Sequence, residues 1–110
     1  MTSVNVPAAE VTEIPAAAVL LDVREHDEWT AGHAPDAVHL PMSELSARLS
    51  EVPDAEKLFV ICRSGGRSAQ VTAYLHAQGH NAVNVSGGMQ AWQAQGREMR
   101  AETGAEPDVV

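Results

Sequence analysis

The chain has one cysteine, Cys62, and it stands where a thiol can do chemistry. Residues 58–62 (LFVIC) form a short apolar run that predicts a buried strand. Residues 63–66 (RSGG) predict a tight loop. Residues 67–78 predict a helix closed by Gly79. A lone cysteine is more often an inert core residue than a nucleophile, but here the flanking residues favour the nucleophile. Glycines at Gly65 and Gly66 let successive backbone N–H groups turn inward as an anion-binding nest. The helix that follows adds its unpaired N-terminal N–H groups and the positive end of its dipole. Arg63 and Arg67 add formal charge. Each of these favours thiolate over thiol, so the Cys62 pKa is expected to be lowered. The same groups could hold a small anionic ligand over the sulfur, and the hydroxyls of Ser64 and Ser68 could donate to that anion or cap the helix.

The elements that must position this loop are short and alternate in type. Apolar runs at 18–23, 37–40 and 81–85 predict strands beside 58–62, with a weaker one at 4–6. Polar stretches with helical spacing separate them: 25–31 ending at Gly32, 43–52 behind a Ser43 N-cap, and 89–95 ending at Gly96. Residues 7–14 predict a helical turn or two begun by Pro7. In the central helix Ala69, Ala73 and Ala77 share a face and predict close approach to a sheet. Strands separated by helices imply an α/β fold with a parallel sheet of about five short strands and helices on both faces. In such sheets ligands sit at the carboxyl ends of the strands, where Asp22, Arg24, the loop 62–67 and the glycines Gly87 and Gly88 gather.

Composition narrows the function class. A chain of 110 residues with 45 % hydrophobic residues makes one domain with its own core. Residues 1–100 are expected to form it, and 101–110 to be a disordered acidic tail. The net charge of −8 argues against nucleic acid as partner. No run is long and apolar enough for a membrane span. One cysteine makes no internal disulfide and fits a reducing compartment, and nothing at the N-terminus reads as a signal peptide, so the expected location is cytoplasmic. The five histidines have no metal-ligand spacing with one another or with Cys62, so no metal is expected. His33, in a Gly-His turn, is read as a structural hydrogen-bonding residue and Trp92 as packing. Asp22 is expected to support the loop or orient an arginine. Arg24 is expected to pair with Asp22, Glu28 or another carboxylate.

CRSGGRS after an apolar strand resembles the active-site loop of single-domain rhodanese-like sulfurtransferases. LLDVREHDEWTAGHAPDAVHLP is similar to that family's first signature, and NAVNVSGGMQAW to its closing one, in the family's order. The sequence departs from the family pattern after Gly32 and His33, where Ala34 and Asp36, on either side of Pro35, replace a bulky aliphatic and Gly. The resemblance implies a rhodanese-like fold and a sulfurtransferase. Cys62 would be its catalytic residue and carry a persulfide. Arg63, Ser64, Gly65, Gly66, Arg67 and Ser68 would form the substrate-binding loop, with Asp22 and Arg24 supporting it. It also implies a small anionic sulfur donor such as thiosulfate, a thiol or protein as acceptor, and no cofactor. Cysteine phosphatases of related design have a longer loop, whereas four residues separate Cys62 from Arg67, which favours a sulfane sulfur over a phosphoryl group. The competing readings are a non-catalytic binding or regulatory module, a redox-sensing thiol that would need an external partner thiol, and a small cysteine phosphatase.

Overall fold

The computed structural model of the chain describes residues 6–110. Its apolar runs become five strands: β1 (Ala8–Glu10), β2 (Val19–Asp22), β3 (Val38–His39), β4 (Leu58–Ile61) and β5 (Ala82–Ser86). All pair in parallel, in the order β1-β5-β4-β2-β3. Three helices connect or follow them: α1 (His26–Ala31), α2 (Gly66–Ala77) and α3 (Gly88–Ala94).

Every residue of the central strand β4 is buried, which explains why its sequence is a continuous apolar run rather than an alternating one. Successive side chains point to opposite faces. Leu58, Val60 and Cys62 join Leu21, Val23, Val71 and Leu75 in one core cluster, on the α2 side. Phe59 and Ile61 join Leu20, Val85, Met89 and Trp92 in the other, on the α3 side. Covered on both faces, the sheet delivers the ends of β2, β4 and β5 to one edge.

Three local expectations need correction, and a fourth lies mostly outside the described residues. Residues 7–14 are helical only in part: a 3-10 turn covers Val11–Glu13, whereas Ala8–Glu10 pairs with Asn84, Val85 and Ser86 of β5 as an edge strand. Ladder hydrogen bonds to β5 override alanine's helix preference over so short a span. Residues 43–52 are two 3-10 turns, Met42–Glu44 and Leu49–Glu51, rather than one helix. Arg48, at φ −120°, interrupts them, and Ser43 donates to the Glu25 carboxylate instead of capping. Leu45 and Val52 are buried all the same, so the apolar spacing marked buried positions without marking the element type. In α2 the buried residues are Ser68, Val71, Thr72 and Leu75, while Ala73 and Ala77 are exposed. The alanine face therefore looks toward solvent. The strand expected at 4–6 lies mostly outside the described residues, and Val6 is not in a strand.

After α3 the chain runs back past α1. His33 and Arg100 exchange backbone hydrogen bonds at 2.8 Å each, the Glu102 N–H donates to the Thr30 carbonyl, and the Asp108 N–H donates to that of Ala31.

Candidate active site

Between the last residue of β4 and the first of α2 lie Cys62 and three loop residues. Gly65 caps α2 with φ +113°, a conformation that side chains other than glycine's rarely adopt. That turn aims the Gly65 N–H at Cys62 Sγ, 3.1 Å away. From the first turn of α2, the Ser68 hydroxyl reaches the same sulfur at 3.2 Å. Cys62 is 1 % exposed. Burial alone pushes its thiol pKa up. The Ser68 hydroxyl and the backbone N–H groups of Ser68, Gly65 and Ser64 act in the opposite direction and outweigh it, so the pKa lies below its usual value. Gly66 has no positive φ, and a Cβ there would meet nothing. Only one of the paired glycines is thus required by the nest.

The loop is held from behind by α3. The Met89 N–H donates to the Cys62 carbonyl at 2.8 Å and the Gln90 N–H to that of Arg63 at 3.0 Å. Gly88 permits this approach: its φ is +54°, and a Cβ would collide with both carbonyl groups. Asn84, on β5, accepts from Ser68 Oγ at 2.5 Å and donates to the Gly65 carbonyl at 3.3 Å.

The arginines divide the work differently from expectation. Arg67 is held in a bidentate pair by Glu28 of α1, with both N–H···O distances 2.8 Å. Arg67 holds the Glu28 carboxyl down at about 2, against the opposing effect of burial and with help from the Glu25 N–H. The same pair raises the Arg67 pKa. Arg63 turns the other way: its Nε donates to the Val110 carbonyl at 3.1 Å, and with the Gln90 amide oriented to suit, the Gln90 side-chain oxygen accepts from Arg63 Nη1 and Nη2. Ser64 is exposed. Arg24 and Asp22 are both fully buried and paired at 2.8 Å. Arg24 also donates to the Glu28 and Gly32 carbonyls of the α1 end. Of the partners open to Arg24, the structure therefore selects Asp22. The pair fixes α1, and α1 carries Glu28 to Arg67.

His33 bonds Glu102 through Nε2 and the Ala34 carbonyl through Nδ1, and stacks on Trp29 with ring centroids 3.7 Å apart. No hydrogen bond joins a histidine to Cys62 among the described residues, and no metal-ligating cluster occurs among them. Trp92 is 4 % exposed, and its Nε1–H donates to the Glu98 carbonyl.

Sequence reasoning passed over Asn84, and it did not assign Glu28 to Arg67. The signals were there to read. Asn is disfavoured in strands, yet Asn84 interrupts the apolar β5. Glu28 follows Glu25 by three residues, the spacing of the capping box it makes.

A family model described as a rhodanese-like domain matches residues 8–95. The chain belongs to the rhodanese-like domain family. Its relatives include a protein of Allochromatium vinosum named sulfurtransferase, 41 % identical over 87 residues, which are 78 % of this chain and 81 % of that one. YtwF of Bacillus subtilis, whose name also describes a sulfurtransferase, is 42 % identical over 76 residues, 69 % of this chain and 74 % of its own. Among solved structures, that of SSP1007 from Staphylococcus saprophyticus superposes with a TM-score of 0.75 at 38 % identity, covering 84 % of this chain and 98 % of that one. The rhodanese-like fold of five parallel strands with helices, expected from the three signatures, is thereby established, and the Ala34-Pro35-Asp36 departure is absorbed locally. Asp36 takes a positive φ of 62°, which Asp tolerates better than most residues.

Proposed function

We propose that this rhodanese-like domain is a sulfurtransferase that moves a sulfane sulfur through a persulfide on Cys62. One observation carries the reading: a buried thiol is made acidic by hydrogen bonds from its own loop, with no imidazole beside it. A nucleophile ionised by fixed donors needs no general base. The Cys62 thiolate attacks the outer sulfur of the donor. The donor's S–S bond breaks, its electron pair leaves with sulfite when thiosulfate is the donor, and the outer sulfur stays on Sγ as a persulfide anion. An acceptor thiolate or cyanide then attacks that sulfur and returns Cys62 as thiolate. The backbone N–H groups of Ser64, Gly65 and Ser68 serve the sulfur in both halves of the cycle, so these donors need not move.

Thiosulfate or a persulfide-type donor fits the site as substrate, and a thiol or a protein thiol as acceptor. Arg67, close enough to Cys62 for their charges to interact, offers a positive charge to an anionic donor, although Glu28 already shares it. The short loop from Cys62 to Arg67 supports sulfur over phosphoryl transfer, since fewer N–H groups are available to surround a tetrahedral phosphate. The test is formation of thiocyanate from thiosulfate and cyanide. Turnover by the protein and none by Cys62→Ser is expected. Absence of turnover with thiosulfate and with organic persulfides alike would leave the binding-module reading in its place.

A further inference from the structure

Asn84 is 8 % exposed, a polar side chain in a strand whose neighbours Ala82, Val83 and Val85 are apolar and buried. It touches the site through Ser68, which is fully buried. Ser68 Oγ stands 2.5 Å from Asn84 Oδ1 and 3.2 Å from Cys62 Sγ. A serine hydroxyl carries one proton, and that proton cannot serve the amide oxygen and the sulfur at once. With the amide as found, Nδ2 donates to the Gly65 carbonyl at 3.3 Å, so Oδ1 faces Ser68 and takes its proton. Ser68 is then left with a lone pair toward the sulfur, the arrangement that suits an S–H donor. A thiolate has no proton to give and requires the Ser68 proton for itself. Once the hydroxyl turns to Sγ, two oxygens face each other with no hydrogen between them. Turning the amide over relieves that contact, since Nδ2 then donates to Ser68 Oγ, but it breaks the hydrogen bond to Gly65 and leaves Oδ1 facing the Gly65 carbonyl across the longer, 3.3 Å contact, so the amide is satisfied at both ends only while Cys62 is a thiol.

We propose that Asn84 is a positioning residue that competes with Cys62 for the single Ser68 proton, and so couples ionisation of the cysteine to the orientation of the Asn84 amide and to the Gly65 peptide. The proposal rests on Cys62 being the nucleophile. Its proton balance is closed: on ionisation the thiol proton passes to solvent, the Ser68 hydroxyl rotates, and the amide turns; reprotonation reverses each move. When Cys62 carries an outer sulfur, the negative charge moves out to that atom, Sγ becomes a poor acceptor, and the Ser68 proton returns to Oδ1. The amide therefore turns over with each loading and unloading of sulfur. The Gly65 peptide feels both ends of this exchange, since its N–H donates to Sγ and its carbonyl accepts from Asn84.

A purely structural role for Asn84 predicts the opposite sign. If the amide only braced Gly65, its loss would slacken the N–H···S bond and raise the Cys62 pKa, whether or not Ser68 were present. The test is the pH dependence of Cys62 alkylation by iodoacetamide in the wild-type protein, Asn84→Ala, Ser68→Ala and the double variant. Ser68→Ala is expected to raise the midpoint. Asn84→Ala is expected to lower it by roughly half a pH unit, because the hydroxyl is freed for the thiolate. In the Ser68→Ala background, Asn84→Ala is expected to change nothing further. A midpoint raised or unmoved by Asn84→Ala, or moved equally in both backgrounds, would overturn the proposal. A second readout needs no change at Asn84: its side-chain amide nitrogen shift, followed by NMR, is expected to titrate with the Cys62 midpoint in the wild type and to stay flat in Ser68→Ala. A flat profile in the wild type would overturn it equally. Neither readout uses a sulfur donor, so the thiocyanate assay succeeds or fails independently.

Discussion

At the scale of single residues, the site is set by two arginine–carboxylate pairs of different character. Asp22 and Arg24 are wholly buried, and every Arg24 nitrogen finds an acceptor: the Asp22 carboxylate or the Glu28 and Gly32 carbonyls. Such a pair is costly to break because the survivor is left as an uncompensated buried charge. Glu28 and Arg67 are partly exposed, at 15 % and 36 %, so their pairing is worth less to stability and more to the charge at the site. The depressed Glu28 pKa gives a definite sign. Stability from this pair is fully present above pH 4.5, the carboxylate's usual value, and is lost as pH falls toward about 2. With screening, the loss amounts to about 1 kcal/mol. Denaturant titrations at pH 5 and pH 2.5 are expected to show this component in the wild type and not in Glu28→Gln, which keeps the capping box. In the same variant Arg67 loses its charged partner, and the KM for thiosulfate is expected to fall a few-fold. A KM unchanged in Glu28→Gln would mean that Arg67 does not meet the donor.

At the scale of elements, the strand–loop–helix unit from β4 to α2 was legible because its signals are local: an apolar run, a glycine turn and a helix of known stop. What the sequence could not assign were contacts made across the sheet edge. Arg67 reads as a free cation in the loop, and only the placement of α1 reveals its carboxylate. The paired glycines read as equivalent, and only the backbone angles separate them. The difference is measurable. Gly65→Ala, at φ +113°, is expected to cost about 1–3 kcal/mol and to disturb the N–H···S bond, lowering sulfur transfer sharply. Gly66→Ala, at an ordinary helical position with open space around its Cβ, is expected to be neutral or stabilising by up to about 1 kcal/mol and to keep the rate. Thermal melts and the thiocyanate assay on both variants check this. Equal damage from the two would show that the nest depends on glycine for a reason other than backbone angle. The 3-10 turns were missed for a similar reason: Leu45 and Val52 bury as the helical pattern demanded, but between Pro41 and Pro53 the chain breaks at Arg48, whose φ of −120° is not helical.

At the scale of the whole molecule, one parallel sheet with two apolar faces brings residues distant in sequence to a single edge: Asp22 at the end of β2 and Arg24 just beyond it, Cys62 just after β4, Asn84 from β5 and the N-terminus of α3. The α/β class and the strand set followed from composition and alternation, since buried parallel strands have to be apolar on both sides. The edge strand β1 did not, because three residues with one partner strand carry too little pattern of their own. Beyond α3, residues 101–110 carry the composition of a disordered tail, yet the Asp108 N–H donates to the Ala31 carbonyl. Hydrogen exchange at that amide weighs the two. Protection above that of the flanking amides is expected from the contact, and exchange at the rate of free chain would mean that the tail does not hold it.

The claim on which the rest depends is that Cys62 carries the sulfur. The most direct measurement is the intact mass of the protein after incubation with thiosulfate or an organic persulfide, followed by a thiol. The account predicts a gain of ~32 Da, one sulfur atom on a nucleophilic thiolate, which is discharged by the thiol and absent in Cys62→Ser. An unchanged mass with every sulfane donor, or a gain that persists in Cys62→Ser, would contradict it.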